Sequence, residues 1–356
     1  MTTLTAPVAP SPNAAKAGRR DVRRVTSYDV AMVAGVSQSA VSRCFKPGAS
    51  VSKATYQRVM QAARDLDYIP NAAARSLCTR RSNTVALILW EPAIISYPGI
   101  VTELTRHFAQ RGMRVMLFTV ASEADIDSTL ADLWQHQVDG AVVAARLGAA
   151  QVAEFARRDL PLLMFNRPVP GREVNAVVCD HYAAARTLTR RLAAAGHKRF
   201  ALIDGPADSS LAQERRRGVC DRLAELSLPA PMIVRGNFDY ASGERAMREI
   251  ISCGQALPDV VMCTNDLMAV GCIDSARHEF GLEIPRELSV TGFDGMGSSA
   301  WLAYNLTTVR LPIADMALAA ADMFAALTAD TAAQPEQRLF LATVVDGATA
   351  VLGPQD

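Results

Sequence analysis

Apolar and polar positions follow two different textures along this chain. Residues 1 to 24 are rich in Ala, Pro, Thr and Ser, show no period, and read as a disordered arm. The spacing then becomes helical. Ser27 is placed to cap a helix carrying Val30, Ala31 and Val33, which ends at Ala34-Gly35. Ser37 caps a second, running through Ala40, Val41 and Cys44 to Phe45. After the Lys46-Pro47-Gly48 turn, Ser52 opens a third, with Tyr56, Val59, Met60, Ala63 and Leu66 on one face. Tyr68-Ile69-Pro70-Asn71 halts it, and a short Ala-rich segment reaches Leu77.

From Val85 onward, short apolar runs of strand type alternate with helical patterns. The predicted strands are Val85–Leu89, Val115–Thr119, Gly140–Ala144, Leu162–Phe165, Ala176–Cys179, Phe200–Ile203, Met232–Val234, Val260–Cys263, Ser289–Phe293 and Leu306–Arg310. Helical patterns such as Ile100–Gln110, Ala183–Ala195 and Ser242–Ile251 separate most of them. This alternation predicts parallel sheets built from βαβ units, with ligands beyond the carboxyl ends of the strands. About ten units exceed one comfortable sheet, so the body is expected to be α/β with two doubly wound halves, behind an all-α helix-turn-helix head.

Charge sharpens that division. The whole chain nearly balances, with 37 Lys and Arg against 36 Asp and Glu in 356 residues. Residues 1–84, however, hold 13 bases and 4 acids, and the remainder holds 24 bases and 32 acids. A small basic head on an acidic body is the footprint of a nucleic-acid-binding module. Half the residues are hydrophobic, which excludes disorder throughout, and no apolar run reaches 18 residues, so no membrane span is expected. The first residues lack the order of a secretory signal, and seven cysteines without a CxxC argue against a disulfide framework. A cytoplasmic protein is the expectation. No metal-ligand spacing, Walker loop or G-x-S-x-G is present, so neither a cofactor, a metal site nor an enzyme is predicted.

Two short helices joined by a Gly-containing turn form a helix-turn-helix, whose second helix can enter the major groove. Ala31, Val36 and Val41 would make its core. Gln38 and Ser39 lie at the exposed start of the second helix, and Arg43 one turn on can bind guanine in a bidentate manner.

These residues resemble the lactose-repressor/galactose-repressor (LacI/GalR) family. The likeness runs from Tyr28 to Arg43, through Val51–Thr55, to Tyr68–Asn71 and the Ala-rich run ending in Leu77. Val138-Asp139-Gly140, Arg167-Pro168, Gly196-His197, Gly205-Pro206 and Arg215-Arg216-Arg217-Gly218 follow in the family's order. Ser242-Gly243, Asn265–Ala269, Pro285, Ser289–Asp294 and Leu306–Val309 complete the series. The resemblance implies a head at residues 25–69, a hinge helix and linker at 70–84, and an effector-binding and dimerisation body at 85–356, with two lobes like periplasmic sugar-binding proteins. It implies a homodimer on double-stranded operator DNA, contacted by Tyr28, Ser37, Gln38, Ser39, Ser42 and Arg43. Asn71, Ala74 and Leu77 would belong to a hinge that becomes helical on the operator, with Leu77 wedged into the minor groove. A small effector, a sugar or sugar derivative, would meet Asn166, Arg215, Phe238, Asn265 and Asp294 in the cleft.

Two positions depart from the family. Asn166 replaces the acidic residue common before Arg-Pro, and Asp346-Gly347-Ala348 replaces an Arg-x-Ser. The segment up to Asp356 carries no leucine heptad, so no tetramer-forming coiled coil is expected. Two rival functions remain weaker. A sugar-transport receptor would share the body but not the basic head. A nicotinamide enzyme would need Gly295-Met296-Gly297-Ser298-Ser299-Ala300 to bind dinucleotide, yet the next strand begins too soon for a βαβ unit.

Overall fold

The computed structural model describes residues 25–46, 50–70, 81–91, 94, 97–121, 125–169, 171–329 and 334–354. The chain divides between Arg80 and Arg81 into two compact units.

In the first unit, helices α1 (Ser27–Ala34), α2 (Gln38–Cys44) and α3 (Lys53–Asp65) pack around Val30, Ala31, Ala34, Val41, Val59, Ala62 and Ala63. Such small side chains let the helices approach closely. The cap of α1 is Thr26 and not Ser27. Asp29, three residues on, accepts from Thr26 N at 2.8 Å and from its hydroxyl at 2.7 Å. Gly35 ends α1 in the left-handed region (φ 60°), which lets Val36 N reach back to Ala31 O at 3.0 Å. Ser37 and Ser52 cap α2 and α3 as expected, accepting from Ala40 N at 3.3 Å and Thr55 N at 3.2 Å. The buried stripe of α3 is Val59, Ala62 and Ala63, while Tyr56 remains 46% exposed. Val36 is only partly buried, so the core centres on Val30, Ala31 and Val41.

The second unit contains two parallel sheets. The first joins β1 (Thr84–Trp90), β2 (Arg114–Val120), β3 (Ala141–Ala144), β4 (Leu162–Phe165), β5 (Asn175–Cys179) and β11 (Gln337–Phe340) in the order β11-β5-β4-β3-β1-β2. The second joins β6 (Phe200–Asp204), β7 (Met232–Arg235), β8 (Val260–Cys263) and β9 (Ser289–Thr291) in the order β7-β6-β8-β9. Intervening helices are α4 (Pro98–Gln110), α5 (Ile126–Leu133), α6 (Ala149–Arg157), α7 (His181–Ala194), α8 (Ser210–Glu225), α9 (Tyr240–Ser252), α10 (Asp266–Asp274) and α11 (Ile313–Ala329). A short antiparallel pair, β10 (Thr308–Arg310) with β12 (Thr343–Val345), completes the body.

One core cluster runs through Leu87, Leu104, Leu188 and Phe324 on the first sheet and continues to Phe200, Leu202 and Met262 on the second. Because β11 returns to pair with β5 after the second sheet is built, both halves belong to one unit. Gly218 lies where α7 and α8 meet: a Cβ there would come within 2.6 Å of Tyr182 O, so the glycine of the Arg-x-x-Gly motif permits that contact. Asp346 also acquires a physical role. Its carboxylate takes two bonds, at 2.6 and 2.8 Å, from Arg191 on α7, which also donates to Gly353 O.

Candidate DNA interface and effector cavity

On α2, Ser39, Ser42 and Arg43 are exposed at the spacing of one helical face, opposite the buried Val41, and Lys46 just past the helix is exposed too. Tyr28 on α1 is 71% exposed. Arg43 Nε donates to Ser39 O at 3.4 Å, which lays the guanidinium along the helix. Gln38 is half-buried and donates to Ser27 Oγ at 3.2 Å, while Ser37 is occupied as the cap. The head therefore presents Tyr28, Ser39, Ser42 and Arg43 most openly. Asn71, Ala74 and Leu77 lie outside the described residues.

In the body, Asn166, Arg215, Phe238, Asn265 and Asp294 all line one cavity, together with Trp90, Tyr97, Phe165 and Arg167. The strand ends explain the convergence. Asn166 directly follows β4 and Asn265 lies two residues after β8, while Phe238 and Asp294 each lie three beyond β7 and β9. Asn166 (φ 54°), Phe238 (φ 60°) and Asp294 (φ 115°) adopt left-handed backbone conformations, unfavourable above all for Phe and costing about 1–3 kcal/mol each in general. Such strain accumulates where chain ends are turned to aim side chains at a ligand.

Arg215, 3% exposed, is the centre of the site. Its Nη1 donates to Thr264 O at 2.5 Å and its Nη2 to Asp294 Oδ1 at 2.7 Å. The guanidinium also stands 4.0 Å over the Phe293 ring. Burial pushes the Asp294 carboxyl up from its ordinary value, and Arg215 pulls it part of the way back. Tyr97 donates its hydroxyl to Asp294 O, fixing the loop from its other side. Asn265 is committed to the protein: Nδ2 donates to Phe238 O at 2.9 Å, and Oδ1 caps α10 by accepting from Met268 N at 3.0 Å. It positions Phe238, whose ring meets Trp90 edge-on at 6.1 Å.

Three residues absent from the sequence-based set complete the arrangement. His181, the first residue of α7, joins Asn166 to Arg215. Its position just past the end of β5 is the signal that marks it. Tyr97 carries no such signal. Asp266 is fully buried and accepts from Thr308 Oγ1 at 2.5 Å and Met296 N at 2.7 Å. Burial, then the charge of Asp294, pushes its carboxyl up to about 7. The Met296 amide in the Gly295–Ala300 loop is thus occupied, and that loop enters a four-residue turn, Gly297–Ala300, instead of a long helix. It lacks the long helix that dinucleotide binding requires.

Comparisons with known proteins agree with this architecture. Residues 26–71 match the bacterial regulatory proteins of the lacI family, and residues 189–350 match the periplasmic binding protein-like domain. The chain is 31% identical to the HTH-type transcriptional repressor CytR of Escherichia coli K12 over 291 residues, covering 81% of this chain and 85% of CytR. The Lac repressor dimer bound to operator and the anti-inducer ONPF superposes with a TM-score of 0.83 at 26% identity, covering 92% and 99% of the two chains. The transcriptional regulator CelR in complex with cellobiose superposes at 0.69 and 27% identity, covering 92% and 100%.

A helix-turn-helix head with a periplasmic-binding-protein-like body defines a ligand-responsive transcription regulator. The chain belongs to the lacI family of bacterial regulatory proteins.

Proposed function

We propose that this protein represses transcription as a homodimer on a near-palindromic operator, and that a sugar or sugar derivative in the body cavity changes its affinity for that operator. The matched relatives are transcriptional regulators, not enzymes. The head would read bases with Ser39 and Arg43, assisted by Tyr28, Gln38 and Ser42, with Ser37 holding the helix start. Asn71, Ala74 and Leu77 are assigned to the hinge by resemblance. A DNA-binding role is consistent with a cytoplasmic protein, and among the described residues no helix is long and apolar enough to cross a membrane.

The observation that carries the effector assignment is the buried Arg215–Asp294 pair on the wall of an aromatic-lined cavity. A guanidinium donates to ring or carboxylate oxygens, a carboxylate accepts from hydroxyls, and Phe238 and Trp90 cover apolar C–H faces. A thermal-shift screen of sugars and sugar derivatives tests it. An effector at 100 times its Kd stabilises the chain by about 2.7 kcal/mol. Asp294→Asn keeps an oxygen for Arg215 while removing the charge, and should lose most of that gain. A full shift in the variant would place the ligand elsewhere.

A further inference from the structure

His181 determines which way the cavity wall is polarised. It is 1% exposed, and its Nδ1 lies 3.2 Å from Arg215 Nη2 and 3.4 Å from Nε. A guanidinium has donors only, so the ring nitrogen facing it is an acceptor. Burial, then the charges of Arg215 and Arg167, hold the imidazole pKa well below its ordinary value, and the ring is neutral. A neutral imidazole with a bare Nδ1 carries its proton on Nε2. Nε2 stands 2.9 Å from the Asn166 amide, and the atom that receives this proton must be Oδ1.

The Asn166 amino group is therefore turned away from the ring, on a residue that lines the cavity, and makes no hydrogen bond among the described residues. Asn166 is itself held in place, in the left-handed region and with its backbone N–H donating to Val177 O at 2.7 Å. Elsewhere on the wall, Asp294 gives Oδ1 to Arg215 and keeps Oδ2 as an acceptor. The cavity thus offers a donor at Asn166 and an acceptor at Asp294. A ligand hydroxyl at the Asn166 end could accept from Nδ2, but its own proton would need a lone pair. The two side chains bonded into that corner, His181 and Arg215, have none to spare, because Nδ1 is already taken.

We propose that His181 is a positioning residue that locks the Asn166 amide with its NH2 toward the effector. The effector then carries a carbonyl or carboxylate oxygen at the Asn166 end and a hydroxyl at the Asp294 end, as in a sugar acid or its lactone. This rests on the cavity being the effector site. The aspartate that the family often carries before Arg-Pro would present an acceptor at the same point and favour an aldose hydroxyl.

Thermal shift of the full chain with matched probes tests the assignment: galactose with galacturonate, glucose with glucuronate, and glucose with gluconolactone. At least one acid or lactone should act at a concentration about tenfold below its parent aldose, the factor expected for one well-made buried hydrogen bond. Asn166→Asp should reverse that ranking, and His181→Phe should bring the pair near parity. If the latter variant does not fold, the isosteric Asn166→Asp decides. Nitrogen NMR of histidine-labelled wild type should show His181 neutral and protonated at Nε2.

Three results would each overturn the proposal. They are wild-type chain in which no acid or lactone outranks its aldose, an unchanged ranking in Asn166→Asp, and a proton on His181 Nδ1. If an aldose outranks its acid and lactone on wild type but fails to stabilise Asp294→Asn, the cavity remains the effector site and the polarity alone is overturned.

Discussion

Arg215 satisfies Thr264, Asp294 and His181 together, so truncating it strips three buried neighbours of a partner. Breaking a buried pair in this way typically costs about 3–5 kcal/mol, so stability changes would mask the binding effect of Arg215→Ala. Arg43 is the opposite case. It is exposed and, among the described residues, its side chain bonds to its own helix alone, so Arg43→Ala should leave the fold intact. Operator binding should weaken by about 1–3 kcal/mol while random-DNA binding barely changes. Equal losses on both in gel-shift titrations would make Arg43 a phosphate contact. Asp266 carries a pH signature. With its folded pKa raised to about 7, the folded chain retains a proton that the unfolded chain releases near pH 4. Its contribution to stability is therefore present at low pH and lost as pH rises through about 7. Urea titrations from pH 5 to 7.5 should show the stability advantage of wild type over Asp266→Asn shrinking; a constant or growing gap would contradict the assignment.

At the scale of elements, the central strands were legible because each is a continuous apolar run: Leu162–Phe165 and Val260–Cys263 match β4 and β8 at both ends. The strand β11 was not. It is an edge strand of alternating exposure, with Leu339 61% exposed, so its pattern looks like surface. The face of α3 differs at one position for a related reason: a tyrosine counts as apolar in a periodicity, yet the fully buried seam against α1 and α2 is built of Val and Ala with Leu66 packed against it, and Tyr56 stays outside. Five of the residues that line the cavity were placed by family likeness, but the engagement of Asn265 with Phe238 and the His181 bridge require three-dimensional proximity. The pairing of Asp346 with Arg191 ties β12 to α7 in the same non-local way. Since Arg191 is buried and Asp346 is half exposed, Asp346→Ala should cost about 1–2 kcal/mol, read as a lower urea midpoint. Unchanged stability would show that Gly353 O alone suffices for the guanidinium.

For the whole molecule, the cavity draws its wall from both sheets: Trp90, Phe165 and Asn166 follow or end strands of the first, and Phe238, Asn265 and Asp294 follow strands of the second. A ligand gripped by both favours the arrangement in which the halves lie closest. Any effect on DNA affinity is bounded by the ligand's differential affinity for the two arrangements, commonly about 1–3 kcal/mol. If Arg215 and Asp294 act on one bound molecule, as proposed, their losses of response should not add. Operator affinity, measured with and without the effector found by thermal shift, in wild type and in Asp294→Asn, tests this most directly. Wild type should shift by about 5–150-fold, the range of that coupling, and the variant should bind operator like ligand-free wild type at every effector concentration. A variant that retains the full shift would contradict the cavity as the seat of control.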